Sequence, residues 1–250
     1  MKLLEKTIQV IDLLKKNPRG LQLSRMAQEL GYPQSTVHRI LQTLAAHDYV
    51  VQNRESRKYA LGFEFLRIGK SILENLELRE VAHDHLLRLH EQCGETTHLY
   101  ILRKQQLTVI DMIPKRDGLS LASYIGWTTD PYPSAAGKVL LSELSESKIR
   151  AMYRDKPLKT SGKKAITDIG TLIQAVQEAG ARGYAIDDEE FYEGGRCVAA
   201  PVRSGRHGPI EAAISVTGTI FDITMERIRD ELLGLVTETA DRISANLMRW

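Results

Sequence analysis

The segment "LGYPQSTVHRILQTL", residues 30–44, contains a helix stop, a helix start and an amphipathic pattern. Gly31 is typical of a helix end, and Pro33 suits the first position of a helix, where its missing N–H costs nothing. Apolar residues then recur at helical spacing and predict one buried stripe: Val37, Ile40, Leu41 and Leu44. Polar residues are left on the other faces: Gln34, Ser35, Thr36, His38, Arg39 and Gln42. Since a helix that only fills a core has no use for them, we expect these side chains to contact another molecule.

The surrounding sequence predicts a winged helix over residues 1–62. Apolar residues at helical spacing predict a first helix before "NPRG", residues 17–20, and Ser24 is the expected N-cap of a short second helix. The second and third helices then form a helix-turn-helix. In "YVVQNRESRKYALG", residues 49–62, two β-prone runs flank a turn and predict a hairpin with a basic tip.

A winged helix gives these side chains different roles in DNA binding. The third helix enters the major groove, where four of its residues are expected to hydrogen-bond base edges: Gln34, His38, Arg39 and Gln42. Ser35, Thr36 and the free N–H groups of the first turn suit phosphates. On the hairpin, Arg54, Arg57 and Lys58 are expected to add a salt-dependent attraction that does not read sequence.

The distribution of charge supports DNA binding by this part of the chain. Residues 1–60 contain ten Lys and Arg against five Asp and Glu, whereas the remainder contains 24 against 27, which gives the overall charge of +2. A basic domain on a slightly acidic remainder is typical of a protein in which only the basic part meets a polyanion. One alternative stays open: a three-helix bundle whose polar edge is merely solvated.

The composition indicates an ordinary globular protein, with 250 residues and 42% hydrophobic content. The apolar runs are short and no charged-then-apolar leader is present, so we expect neither a membrane span nor a secretion signal. Cys93 and Cys197 form no metal or redox motif, which is typical of the reducing cytoplasm. We therefore expect a cytoplasmic protein with no metal and no cofactor.

Beyond residue 62, helix and strand patterns alternate irregularly, which favours a mixed α/β sheet covered by helices. Helices over about 63–76 and 79–92 would present a dimer seam if an apolar side is exposed; packing within their own domain is the alternative. The other predicted elements are helices near 135–154, 168–181 and 224–248, and strands in "THLYILRKQQLTVIDMI" (97–113, with a turn near Lys104 and Gln105), "LSLASYI" (119–125), "GYAID" (183–187), "RCVAAPVR" (196–203) and "IEAAISVTG" (210–218).

Two places in this region suit a small anion. In "PSAAGK", residues 133–138, Ala136 and Gly137 at a helix start let a ligand approach backbone N–H groups; tight packing is the alternative. A predicted hairpin brings Ser215 and Thr217 close to Cys197, with both hydroxyls on one sheet face. Here the alternative is that a buried cysteine is only a small hydrophobe.

A third place is Asp187, in "AIDDEEFYEGG", residues 185–195. An acid at the end of a predicted strand is placed to accept a hydrogen bond from a ligand hydroxyl. The neighbouring Asp188, Glu189 and Glu190 are interpreted as a solvated loop.

Several motifs resemble the isocitrate-lyase-regulator (IclR-type) family of bacterial transcription factors. They are "GLQLSRMAQELGYPQSTVHRILQTLAAHDYV" with its hairpin, "GETTHLYILR", "YPSAAGKVLL", "RGYAIDDEEFYEGGRCVAAPVR" and "AAISVTG". The likeness covers nearly the whole chain in the family's order. It implies a winged helix-turn-helix over residues 1–62, a linker helix over 63–78, and an α/β, GAF-like effector-binding and oligomerisation domain over 79–250.

The resemblance also implies a function. Such a protein regulates catabolic genes by binding near-palindromic double-stranded DNA as a homodimer or tetramer, here as a repressor rather than an activator. Its effector would be a small carboxylic acid, with sugar acids and short oxo-acids favoured. The family's effector pocket corresponds to six residues of this chain: Ala136, Gly137, Asp187, Cys197, Ser215 and Thr217. Tyr132, Ser134 and Thr217 depart from the residues that many members have, and are expected to alter which ligand fits.

Two other classes of function stay open, a small-acid sensor without DNA binding and a cysteine-dependent enzyme. A nucleophilic Cys197 needs a base within reach, and neither His98 nor His207 has an evident tie to it. His83 and His85 lie two apart on a helix, point to different faces and make a poor metal pair. No phosphate-binding loop or "HExxH" motif is present. We therefore expect no enzymatic activity.

Overall fold

The computed structural model of the protein describes residues 2–115, 123–205 and 208–247. Its chain divides into two compact units, Met1–Asn75 and Leu76–Trp250, which we call the head unit and the body unit.

The head unit is a winged helix, as the sequence predicts. Its elements are α1 (Lys2–Lys16), α2 (Leu23–Leu30), α3 (Gln34–Ala46), β1 (Val50–Gln52), β2 (Tyr59–Leu61) and α4 (Glu64–Glu74). β1 and β2 pair antiparallel, and an isolated bridge between Leu21 and Tyr59 ties the segment before α2 to the hairpin. The apolar stripe of α3 packs into one core with Leu14 and Met26.

Two predicted helix starts are off by a residue. α2 begins at Leu23, so Ser24 lies inside its first turn, and the preceding Gln22 makes no side-chain cap. The reason is tertiary, because the backbone of Leu21 exchanges two hydrogen bonds with Tyr59 and ends the extended segment there. Pro33 precedes α3, and its carbonyl accepts from the N–H groups of Thr36 and Val37.

The body unit is built on a six-stranded antiparallel sheet in the order β5-β4-β3-β8-β7-β6. The strands are β3 (Thr96–Arg103), β4 (Gln106–Ile113), β5 (Thr128–Thr129), β6 (Ala185–Asp188), β7 (Gly195–Arg203) and β8 (Ile210–Thr219). The helices are α5 (Glu77–Cys93), α6 (Ala135–Leu141), α7 (Glu146–Met152), α8 (Ile169–Arg182), α9 (Met225–Arg227), a π-helical turn (Ile228–Leu232) and α10 (Leu233–Asn246).

Helices cover both faces of this sheet. Residues of α5 and α10, such as Leu86 and Val236, pack with Ile214 on one face. Residues of α6 and α8, such as Val139 and Ala179, pack with Ala199 on the other. Because side chains alternate along a strand, successive residues such as Val198 and Ala199 of β7 belong to opposite cores.

Most predicted elements of the body unit are present, with a few differences. Lys104 and Gln105 form the β3–β4 turn with positive φ angles of 48° and 63°. The helix expected near 135–154 is two helices, α6 and α7, separated by a short turn. Residues 119–122 of the strand predicted in "LSLASYI" lie outside the described residues, and Ser123–Ile125 are not in a strand. In the described part of the chain, no helix has an apolar run of the length that a lipid bilayer requires.

Candidate functional site

The polar residues of α3 are separated from its apolar stripe. Val37 and Leu41 have no exposed surface. Five of the six predicted DNA-binding residues on this helix are exposed: Gln34, Ser35, His38, Arg39 and Gln42. Thr36 is half-buried. The helix thus presents to the outside hydrogen-bonding side chains of the kinds that pair with base edges.

The wing is held in shape by Asn53. Its side-chain Oδ1 accepts hydrogen bonds from the backbone N–H groups of Glu55 (3.1 Å) and Ser56 (2.8 Å). Three cationic side chains of the turn are exposed: Arg54, Arg57 and Lys58. None of them forms an ion pair with a residue that the structure describes. The wing therefore offers uncommitted positive charge, which suits a phosphate backbone.

The body unit contains a cavity of about 670 Å³ on the α6 side of its sheet. Its wall includes a polar group and an apolar group of side chains. The polar group is His98, Ser123, Thr129, Ser134, Asp187, Glu193, Arg196, Cys197, Thr217 and Thr219, and the apolar group is Tyr100, Leu107, Trp127, Phe191, Tyr192 and Phe221. A volume of this order suits a small organic ligand.

Strand register brings three of the predicted effector residues together at this cavity. Asp187 of β6 pairs with Cys197 of β7, which pairs with Thr217 of β8, so the three form one row across the sheet. The Thr217 hydroxyl donates to Cys197 Sγ (3.2 Å). Ser215 is fully buried behind the wall, with its Oγ 3.2 Å from Thr217 Oγ1. All four residues therefore share one polar cluster.

Ala136 and Gly137 are placed differently from this cluster. Both are buried in α6, and neither is among the residues that line the cavity. A Cβ on Gly137 would lie 1.7 Å from the carbonyl oxygen of Pro131, so only glycine fits. Its N–H donates to the Ser134 side chain at the start of α6 (3.0 Å). For Gly137, this geometry favours the tight-packing alternative, whereas the neighbouring Ser134 does reach the cavity.

Asp187 is an acid in an unusual environment. Its carboxylate is 6% exposed, and Oδ1 accepts from the N–H groups of Glu190 (2.9 Å) and Phe191 (3.2 Å). Burial raises the pKa of Asp187 to about 7, and the Glu190 carboxylate adds to this effect. The two N–H groups and the Lys138 ammonium oppose it. At neutral pH the side chain is therefore close to its titration midpoint and can donate or accept a hydrogen bond.

Cys197 lacks the features of a nucleophile. Burial raises the pKa of its thiol to about 12, with the Asp187 charge adding to the effect. Its Sγ accepts a hydrogen bond from the Thr217 hydroxyl. The thiol is therefore protonated at neutral pH and unreactive.

Sequence reasoning missed His98 and the aromatic walls. His98 is 1% exposed, its Nε2 lies 2.8 Å from Ser123 Oγ, and its ring stacks on Tyr100 (centroids 5.2 Å apart). Burial lowers the pKa of His98 to about 4, so the ring is neutral. The alternation of "THLYILR" places His98 and Tyr100 on one face, which is a usable signal. No comparable signal marked Trp127 or Phe191.

A winged helix joined to a separate α/β unit is the architecture of a transcription regulator. Two family profiles match this chain: the IclR helix-turn-helix domain over residues 3–54, and the bacterial transcriptional regulator IclR C-terminal domain over residues 70–245. The chain belongs to the IclR family of bacterial transcriptional regulators.

Similar proteins support this assignment along the whole chain. The regulator XynR of Escherichia coli is 30% identical over 91% of both chains, and the glycerol operon regulatory protein of Streptomyces coelicolor is 31% identical over 98% of this chain and 95% of the relative. The crystal structure of the Thermotoga maritima IclR superposes with a TM-score of 0.80 at 27% identity, covering 99% of each chain. An IclR homologue from Microbacterium hydrocarbonoxydans, complexed with 4-hydroxybenzoate, shares the fold with a TM-score of 0.84 at 20% identity, also over 99% of each chain.

Proposed function

We propose that this protein is a cytoplasmic repressor of catabolic genes, with residues 1–62 reading DNA, 63–78 linking, and 79–250 sensing a small carboxylic acid. The observation that carries the DNA-binding part is the division of α3 into a buried apolar stripe and an exposed polar edge, beside a wing with uncommitted cations. A merely solvated edge needs no such pairing of base-reading and phosphate-binding groups.

Exposed apolar side chains in the head unit support a homodimer, and the tetramer remains part of the proposal. On α1, Leu4 is 68% and Ile8 52% exposed; on α4, Leu66 is 69% and Ile72 58% exposed. Helices that expose apolar side chains in one chain commonly pack against a second copy. Two recognition helices would then lie about 34 Å apart, which predicts a near-palindromic operator.

The effector is proposed to bind the body cavity at the cluster of Ser134, Asp187, Cys197, Ser215 and Thr217. Hydroxyl donors and a protonated Asp187 suit a carboxylate. The alternative of a cysteine-dependent enzyme loses support, because the Cys197 thiol is held protonated and has no base among its described partners.

The test is a mobility-shift titration of the full-length protein on the DNA upstream of its own gene. Arg39→Ala should reduce discrimination between this DNA and an unrelated duplex by about 1–3 kcal/mol, because a base contact is lost. Arg57→Ala should weaken binding to both duplexes alike and lower the salt slope by about one.

Arg88→Ala, which removes an exposed charge from α5, is the matched control and should bind like the parent. If the parent protein does not bind the DNA upstream of its own gene at low ionic strength, the DNA-binding proposal is rejected. If both head variants bind as the control does, the assignment of α3 and the wing to DNA is wrong.

A further inference from the structure

Most of the surface that lines the body cavity is apolar, and five of its side chains are aromatic. The Trp127 and Phe191 rings meet at 5.8 Å between centroids, and the Phe191 and Tyr192 rings at 5.5 Å, both edge to face. Tyr100 lines the cavity beside them, and Phe221, which is 85% exposed, stands at its rim. Such walls offer flat apolar faces, which bind a planar apolar body best.

Polar atoms make up a small part of the cavity surface. They belong to the row of Asp187, Cys197 and Thr217, to His98 and to six further side chains: Ser123, Thr129, Ser134, Glu193, Arg196 and Thr219. Two buried polar atoms, His98 Nδ1 and Tyr192 Oη, have no hydrogen-bond partner among the described residues. An unpaired buried polar atom costs about 1–3 kcal/mol, so a ligand group that pairs with either atom is favoured.

The positive charge on the cavity wall is already paired with other groups of the protein. Among the lining residues that the structure describes, Arg196 is the sole Lys or Arg. Its guanidinium donates to Asp188 Oδ1 (2.7 Å) and to the carbonyl oxygen of Ile223 (2.7 Å). A bound anion would therefore be held by hydrogen bonds rather than by a free cation, which suits a ligand with one charge and a large apolar part.

We propose that the body cavity binds an aromatic acid, with the ring between the aromatic walls and a polar substituent on the Asp187–Cys197–Thr217 row. This inference rests on the proposed function, in which the same cavity is the effector site. In a sugar acid, each hydroxyl group that faces a ring rather than a polar side chain would lose its hydrogen bonds, at a cost of about 1–3 kcal/mol. A short oxo-acid would leave most of the 670 Å³ unfilled. The cavity thus disfavours the two ligand classes that the sequence alone suggested.

The experiment is isothermal titration of the full-length protein with three aromatic acids (benzoate, 4-hydroxybenzoate and phenylacetate), with gluconate and with pyruvate. At least one aromatic acid should bind about tenfold or more tightly than gluconate and pyruvate. Trp127→Ala should weaken that binding about tenfold or more, since a ring face is lost. Trp127→Phe should retain most of it, and Phe63→Ala, an exposed aromatic residue of the head unit, should have no effect.

Thermal unfolding of each variant identifies any loss of folding, and the comparison of ligands in the parent protein does not depend on the variants. If gluconate or pyruvate binds best, or if none of the three aromatic acids binds, the inference is overturned. If the proposed function fails instead, an aromatic acid binds in the titration, but the protein does not bind its upstream DNA in the mobility-shift assay.

Discussion

The starts of α3 and α6 follow the same dipeptide in two different environments. Tyr32-Pro33 precedes Gln34 and Ser35, and Tyr132-Pro133 precedes Ser134 and Ala135. Both stretches start a helix, yet Gln34 and Ser35 are exposed, whereas every residue of α6 is buried. The same local signal therefore starts a helix in both places, and the layers packed around each helix determine whether its first turn faces solvent or the core.

The largest expected effect that tests this difference comes from placing alanine at one position in each helix. Gly137→Ala places a Cβ against the Pro131 carbonyl, where the backbone has to move, and should lower the free energy of unfolding by about 3 kcal/mol or more. Ser35→Ala, on the exposed start of α3, should change it by less than about 0.5 kcal/mol. Denaturant unfolding measures both. Equal effects would show that the two helix starts are not in different environments.

A second expected effect concerns the buried acid next to α6. Because the pKa of Asp187 is raised from about 3.8 to about 7, the folded protein holds a proton that the unfolded chain releases between these values. The stability contributed by this group is complete below pH 4 and is lost as pH rises through 7. Asp187→Asn keeps an acceptor for the N–H groups of Glu190 and Phe191 but does not titrate. Between pH 5 and pH 8 the free energy of unfolding of this variant should therefore rise relative to that of the parent by about 1–3 kcal/mol.

The measurement is thermal unfolding of parent and variant at several pH values. Glu190 and Lys138, which also act on the pKa of Asp187, are present in both proteins. The Asp187 charge contributes to the raised pKa of Cys197, Tyr100 and Tyr192, but these groups titrate above this pH range. Parallel pH profiles would contradict a raised pKa of Asp187.

The smallest expected effect concerns helix caps. Ser134 accepts the Gly137 N–H at the start of α6, so Ser134→Ala should cost about 1 kcal/mol. Ser145 precedes α7 without a side-chain cap bond, and Ser145→Ala should be close to neutral. Chemical denaturation of the two variants compares them directly, and a larger loss for Ser145→Ala would refute the assigned cap.

The head unit was largely predictable, because its information is local. Helical spacing in α3, the glycine at position 31 and the basic turn together specify a winged helix. The polar residues of α3 that lie outside its apolar stripe are mostly the exposed ones. The error at Ser24 arose from a long-range contact, the bridge between Leu21 and Tyr59, which no pattern within α2 contains.

The body unit was predictable in its strands but only partly in its site. The pairing of Cys197 with Thr217 followed from their spacing around the turn between β7 and β8, because the turn of a hairpin sets its antiparallel register. The aromatic walls did not follow, because Tyr100 lies in β3, Trp127 just before β5 and Phe191 between β6 and β7, and these segments are far apart in sequence.

Amphipathic spacing and turn residues were thus sufficient for the class of fold, the exposed polar edge of α3 and the pairing of Cys197 with Thr217, all of which depend on neighbours along the chain or across one hairpin. The burial of Gly137, the raised pKa of Asp187 and the aromatic character of the cavity emerged only from the packed layers. The physical reason is that desolvation and close contact depend on every segment that surrounds a group, and most of those segments are far away in sequence.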